Sequence, residues 1–299
     1  MSFNIPMVIG NTYTWGNGTL RFDSETQVTT SWAKGTCKWI DSLRAEITWS
    51  GYSHLVTMNS TYDSYKSIRY NDGLDGSGII LPLELVNKVD FMSNTSIKLE
   101  DRLSLLSSSR LYNVYNQCLK FRGSGYSFVE CGVAKGGALS LMKYASLNEP
   151  VFGFDSFEGM PEITKEDLGE YNVTSPLTDF GKVGDNLSGG IETVYSTFKT
   201  LNVSMDNTHL VKGFYENTLA VNKAKCNKIA VLRVDCDWYS SVKICLDELY
   251  DQVIEGGVII IDDYGHFIGA KRATDEFRSA RGITSPLIQT DYTEFYWYK

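Results

Sequence analysis

Ser127-Phe128-Val129-Glu130-Cys131-Gly132-Val133-Ala134-Lys135-Gly136-Gly137-Ala138 sets a strand-length apolar run directly against a glycine turn and the first residue of a helical pattern. The helical spacing continues to Leu147, and Val151-Phe152-Gly153-Phe154 reads as the next strand. His209-Leu210-Val211, Ile229–Val234 and Val258–Ile261 repeat the apolar motif, separated by helical patterns near 192–200, 240–253 and 269–280. Strands alternating with helices of about 10–15 residues predict an α/β domain, a mostly parallel sheet with helices on both faces. Leu287-Ile288-Gln289 and Glu294-Phe295-Tyr296-Trp297-Tyr298 read as a closing hairpin.

Upstream of Gly125 the rhythm changes. Residues 1–80 are rich in Trp, Tyr, Thr and Gly, with short alternating runs at Thr12–Trp15, Thr19–Phe22, Gln27–Trp32 and Ala45–Trp49. Gly, Asn and Asp clusters separate them, so this part is expected to form a small N-terminal antiparallel β module, a meander or barrel. Trp15, Trp32, Trp39 and Trp49 either fill its core or line a sugar-binding face. Asp72–Gly78 is loop-like and marks a boundary. A helical connector is expected over 81–125, on the spacing of Leu99, Leu103, Leu106, Leu111, Val114 and Leu119. Residues 126–299 make up the α/β domain.

The 299 residues are 42% hydrophobic and 21% charged, which is enough apolar material for a packed core and excludes global disorder. A net charge of -8 lacks the basic footprint of a nucleic-acid binder, so no such partner is expected. No run approaches the roughly 18 apolar residues of a membrane span, and Met1–Pro6 carries no secretory pattern. Cys37, Cys118, Cys131, Cys226, Cys236 and Cys245 follow no disulfide or zinc spacing, which fits reduced thiols in the cytoplasm. A homodimer is the default assembly.

In a doubly wound sheet, ligands sit beyond the carboxyl ends of the strands. The first such end, Glu130–Ala138, is neither the dinucleotide pattern G-x-G-x-x-G nor a Walker loop. Glu130 before the glycine would repel a pyrophosphate and suits a cationic ligand, which favours S-adenosylmethionine. Asp155, at the end of the second strand and 155 − 132 = 23 residues after Gly132, fits the acid that takes ribose hydroxyls.

Arg233-Val234-Asp235-Cys236-Asp237-Trp238 and Ile261-Asp262-Asp263-Tyr264 end two later strands, 262 − 235 = 27 residues apart, which is one helical crossover. Carboxylates crowded on one rim repel unless a cation neutralises them. Oxygen ligands without a His/Cys cluster point to Mg²⁺, Mn²⁺ or Ca²⁺, with Asp235, Asp262 and Asp263 as ligands. Asp237 is a fourth ligand, a base or a helix cap.

These blocks, with Phe152–Pro161 (F-G-F-D-S-F-E-G-M-P) and Val211–Leu219 (V-K-G-F-Y-E-N-T-L), resemble the macrocin O-methyltransferase family over residues 100–299. The resemblance implies a Rossmann-like class I methyltransferase, using S-adenosylmethionine and a divalent cation, here Mg²⁺, to methylate a sugar hydroxyl of a glycan or glycoconjugate. It places Glu130, Gly132, Ala134 and Gly136 beside the methionine part of the cofactor. Asp155 and Ser156 fall at the ribose, and Gly213 and Phe214 near the adenine. Asp235, Asp262 and Asp263 match the metal-binding aspartates, and Asp235 or Asp237 is the base. Tyr264 and His266, just past the metal pair, are candidates for sugar contact, and the polar stretch Ser156–Gly190 for a lid. Cys236 stands where family members often have Gly, and residues 1–80 are not part of the common core. Two rival readings remain: a catechol-type phenolic O-methyltransferase, and a glycan-binding or assembly protein whose methyltransferase-like domain is inactive.

Overall fold

The computed structural model describes eight strand segments between residues 12 and 81, and residues 83–98, 101–168 and 190–299. The chain divides into two compact units, Met1–Asn94 with Leu106–Asn113, and Thr95–Leu105 with Val114–Lys299. Among the described residues no helix is long and apolar enough to cross a membrane.

In the first unit, strands β1 (Thr12–Trp15) to β8 (Asp75–Leu81) pair antiparallel in chain order, and β8 returns to β1 to close a barrel. Period-2 alternation builds it: Leu20 and Phe22 are buried while Arg21 between them is exposed. Tyr13 packs edge-on against Phe22, ring centroids 6.0 Å apart. The loop expected at Asp72–Gly78 is corrected in its second half, because Asp75 onward belongs to β8. The ladder to β7 (Ser64–Arg69), which pairs Gly76 with Ser67 and Gly78 with Tyr65, overrides the turn preference of the two glycines, and Ile80 and Leu81 then pair with β1. Trp32 and the side chains of Trp15, Trp39 and Trp49 lie outside the described residues.

Helix α1 (Leu83–Met92) follows the barrel, and α2 (Ser108–Lys120) leads into the second unit. The helix expected from Leu99 starts only at Ser108. Ser107 caps the helix there: its hydroxyl accepts the Arg110 N–H at 3.3 Å while its carbonyl accepts the Leu111 N–H at 3.1 Å. Arg102 holds the preceding loop, donating from Nε to the Ile97 carbonyl at 2.9 Å and from Nη2 to that of Thr95 at 2.7 Å.

The second unit is built on a seven-stranded sheet. Its strands are β9 (Ser127–Cys131), β10 (Val151–Asp155), β11 (Thr208–Lys212), β12 (Ile229–Val234), β13 (Val253–Ile261), β14 (Ile288–Gln289) and β15 (Phe295–Tyr298). They lie in the order β11-β10-β9-β12-β13-β15-β14. The first five are parallel, and β15 and β14 form the antiparallel closing hairpin. Helices α3 (Gly137–Ala145), α4 (Ile191–Thr200), α5 (Tyr215–Cys226), α6 (Tyr239–Leu249) and α7 (Ile268–Ala280) connect them. Every residue of β9 and β12 is buried, as the near-continuous apolar runs require. The sequence reading missed α5, whose Tyr-Glu-Asn-Thr-Leu-Ala-Val-Asn run carries no apolar stripe and leaves Val221 70% exposed. The chain winds one way from β9 to β11 and the other way from β12, so the switch point falls between β9 and β12.

Glu149 ties together the turns that precede β9 and β10. Its carboxylate accepts the backbone N–H of Leu147 at 2.7 Å, and those of Gly125 and Asn148 at 3.3 Å. Burial alone would raise its pKa, but the backbone N–H groups outweigh it and hold the carboxyl below its ordinary value. A depressed folded-state pKa adds stability above the unfolded value, near 4.5, and that stability is lost as pH falls through the folded value. Glu149→Gln is therefore expected to lower unfolding free energy in urea at pH 7 by about 1–2 kcal/mol. The difference from wild type should shrink steadily below pH 4.5; a gap of constant size down to pH 3 would contradict the assignment.

Candidate active site

The switch point is held by a backbone contact. Gly132 has φ +90°, and a Cβ there would overlap the Asp235 carbonyl oxygen. Only glycine lets the turn after β9 lie this close to the end of β12. The Asp235 N–H donates to the Cys131 carbonyl at 2.8 Å, and the Gly132 N–H to that of Phe154 at 2.9 Å, so the ends of β9, β10 and β12 are fixed together. Ala134 (φ +46°) and Gly136 (φ +84°) complete the turn, and a Cβ at Gly136 would meet Val194 Cγ1 at 2.8 Å. Asp155 Oδ2 accepts the N–H groups of Val133 at 2.8 Å and Ala134 at 2.9 Å, and Oδ1 accepts that of Phe157 at 2.7 Å. The acid expected at the ribose is thus also the clamp that shapes the glycine turn.

Ser156, beside it, donates its hydroxyl to the Gly159 carbonyl at 2.6 Å. Gly213 (φ +136°) donates its N–H to the Asp155 carbonyl at 2.9 Å, which places Phe214, 36% exposed, at the neighbouring strand end. Glu130 is buried on β9: Oε1 accepts Arg233 Nη1 at 2.7 Å, while Oε2 has no hydrogen-bond partner among the described residues. Burial pushes its carboxyl up to about 8 against the opposing pull of Arg233.

The acidic rim assembles across the ends of β12 and β13. The expected metal trio is Asp235, Asp262 and Asp263; the carboxylate oxygens drawn within 4.8 Å of one another are those of Asp235, Asp237 and Asp263. Asp262 stands outside that cluster, its Oδ1 accepting Arg233 Nη2. Asp237 sits at φ +57°, a left-handed conformation that Asp tolerates better than most residues, and the Trp238 N–H closes the turn onto the Cys236 carbonyl at 2.6 Å. Three full charges about 4.8 Å apart repel by roughly 3 kcal/mol per pair at an effective dielectric near 20. The sum approaches the whole stability of a typical domain, and Arg233, bonded to Asp235 at 2.8 Å, offsets only part of it, so the rim favours protonation or a further positive partner. Burial first and the neighbouring carboxylates second raise Asp263 far above the carboxylate range. Burial raises Asp237 as well, opposed by its hydrogen bond to Asp263.

The two candidates for sugar contact are placed differently. The Tyr264 hydroxyl donates to Asp275 Oδ1 at 2.7 Å and accepts Lys271 Nζ at 3.1 Å, so α7 already engages it. The His266 ring lies 4.6 Å from that of Phe267 and 5.9 Å from that of Tyr292, which is 68% exposed. Of the expected lid, residues 169–189 lie outside the described residues.

Three residues here were not singled out from sequence. Arg233 is an isolated charge in an apolar strand, which is itself the signal that could have found it. Buried Asp167 accepts the Tyr239 N–H at 2.7 Å and the Thr164 N–H and hydroxyl at 2.9 Å, pinning residues 164–168 to the start of α6. Tyr292 sits in the hairpin turn, where Asp291 Oδ1 accepts the N–H groups of Thr293 at 2.9 Å and Glu294 at 3.0 Å.

This strand order and rim are those of a Rossmann-like class I methyltransferase fold, here accompanied by an N-terminal antiparallel barrel. The solved structure of the O-methyltransferase NovP superposes with a TM-score of 0.61 at 26% identity, over 73% of this chain and 98% of that one. The family model for macrocin-O-methyltransferase (TylF) matches residues 104–299, and the chain belongs to that family. Demethyldecarbamoylnovobiocin O-methyltransferase of Streptomyces niveus is 30% identical over 175 residues, 56% of this chain and 64% of its own length. Mycinamicin III 3''-O-methyltransferase of Micromonospora griseorubida is 29% identical over 174 residues, 56% of this chain and 66% of its own. The chain thus spans slightly under two thirds of these curated relatives.

Gly132→Ala must move the Asp235 backbone or distort the turn. The expected cost is on the order of 3 kcal/mol in urea unfolding. Wild-type stability in that variant would refute the close approach.

Proposed function

We propose that the protein transfers a methyl group from S-adenosylmethionine to a sugar hydroxyl, with a divalent cation, Mg²⁺, held on the acidic rim. The observation that carries this reading is the Asp235–Asp237–Asp263 cluster beside the glycine turn. Its all-oxygen donor set suits a hard cation. The donor fits the turn: the partnerless Oε2 of Glu130 calls for a hydrogen-bond donor, and Asp155 and Ser156 follow where ribose hydroxyls would lie. Gly213 and Phe214 would border the adenine. The sugar acceptor is supported by a relative 30% identical over 174 residues, an O-methyltransferase of Streptomyces olivaceus whose name specifies a rhamnosyl-tetracenomycin. Six buried free cysteines fit a reducing, cytoplasmic setting.

When bound, S-adenosylmethionine supplies a methyl group on a sulfonium leaving group, and the cation makes an alkoxide accessible near neutral pH. The chain's own work is alignment and proton removal. The glycine turn and the Asp155 clamp would fix the donor, and the rigid ends of β12 and β13 the acceptor; such positioning is worth several kcal/mol of barrier. Asp235 and Asp263 would hold the cation, with Asp262 beside them in the grip of Arg233. We assign the base to Asp237, because Asp235 is bonded to Arg233 while Asp237 stands on the left-handed turn of the same cluster, hydrogen-bonded to Asp263 and with burial raising its pKa. His266, with Tyr292 beside it, and Tyr264 would face the sugar.

The test is methyl transfer to a panel of deoxysugar conjugates and catechols. Wild type is expected to methylate the sugars, to lose activity in EDTA and to regain it with Mg²⁺. Asp237→Asn should lower kcat by about 10²–10⁴ while still binding S-adenosylhomocysteine. Turnover of catechols alone would favour the phenolic reading, and donor binding without any turnover the inactive-domain one. Full activity after chelation would contradict the metal.

A further inference from the structure

We propose that Arg233 is a positioning residue for the cation rim: its guanidinium fixes the orientation of Asp235, the carboxylate it shares with the cluster, and thereby favours a small, geometrically strict ion over a larger, tolerant one. The inference rests on the metal reading given above. Arg233 is fully buried on β12. Nη1 donates to Glu130 Oε1 at 2.7 Å and to Asp235 Oδ2 at 2.8 Å, and Nη2 donates to Asp262 Oδ1. These partners stand at the ends of the three adjacent strands β9, β12 and β13. One planar group therefore ties the strand that carries the glycine turn to the two that carry the rim.

Charge neutralisation alone does not require this arrangement. A lysine would supply the same charge as a point, on a flexible stem, whereas the guanidinium offers donors at fixed angles. Here the fork satisfies three carboxylates and leaves Nε buried without a hydrogen-bond partner among the described residues. Orientation of the acids is what the geometry secures. Asp235 belongs to both sets, bonded to Arg233 and within 4.8 Å of the Asp237 and Asp263 oxygens, so one of its oxygens is committed before a cation arrives. Groups that orient a metal ligand through a hydrogen bond commonly govern affinity as strongly as the ligands do.

Ion choice separates this role from a structural or purely electrostatic one. Mg²⁺ demands near-octahedral ligands at about 2.0–2.1 Å, while Ca²⁺ accepts varied geometry at about 2.3–2.6 Å. Misoriented carboxylates should therefore harm Mg²⁺ binding far more than Ca²⁺ binding. A change of charge or a general loosening would weaken both ions alike.

The experiment is calorimetric titration of the full chain with MgCl₂ and separately with CaCl₂, for wild type and Arg233→Lys. Thermal melts and circular dichroism confirm the fold of each protein. Arg233→Lys is expected to weaken Mg²⁺ binding about tenfold or more and Ca²⁺ binding less than about threefold. If lysine at this buried site prevents folding, the double variant Arg233→Lys/Glu130→Gln makes the same comparison against Glu130→Gln, with the most buried of the opposing charges removed. Equal weakening of both ions, or no change in either, overturns the positioning role and leaves the metal reading standing. A wild-type protein that binds neither ion overturns the metal reading and this inference together.

Discussion

The rest of the site depends on the backbone contact between Gly132 and Asp235. Because a side chain at 132 would overlap the Asp235 carbonyl oxygen, glycine is what allows the first turn of the sheet and the acidic rim to lie side by side. The surrounding bonds hold that contact. Cys131 and Phe154 carbonyls accept the N–H groups of Asp235 and Gly132, and Asp155 clamps the outer half of the turn. The constraint belongs to the sheet topology: β9 and β12 are neighbours at the point where the winding reverses.

Electrostatics then explains what the cleft demands. Glu130, Asp235, Asp237, Asp262 and Asp263 stand on three adjoining strand ends with Arg233 as their buried counter-charge. Partial compensation of this kind is costly to a fold and useful to a catalyst, because it leaves negative potential where a cationic donor and a divalent ion would be received. Strain accompanies it, since Ala134, Phe157 and Asp237 all take positive φ in the loops around the cleft.

The α/β order and the positions of the glycine turn and the two aspartate pairs were legible because strands buried on both faces read as unbroken apolar runs. The barrel was legible in kind, since Leu20-Arg21-Phe22 alternates, but its closing strand hid in a glycine-rich stretch that local preference reads as loop. Likewise α5 was hidden because it buries little, and the late start of α2 because spaced leucines outvoted the cap at Ser107. Within the site, sequence could place Asp235, Asp237, Asp262 and Asp263 on one rim. It could not show that Asp235 and Asp262 are the ones bonded to Arg233, because that depends on which carboxylates the guanidinium reaches across the sheet.

On this reading the glycine turn and the acidic rim would form a single site for a cationic methyl donor and a hard cation. Crystals grown with S-adenosylhomocysteine and Mn²⁺ and measured for anomalous scattering probe that site. One manganese peak is expected against the Asp235 and Asp263 carboxylates, with the nucleoside seated over Gly132 and its ribose at Asp155. Manganese bound elsewhere, or a nucleoside lying away from the glycine turn, would contradict it.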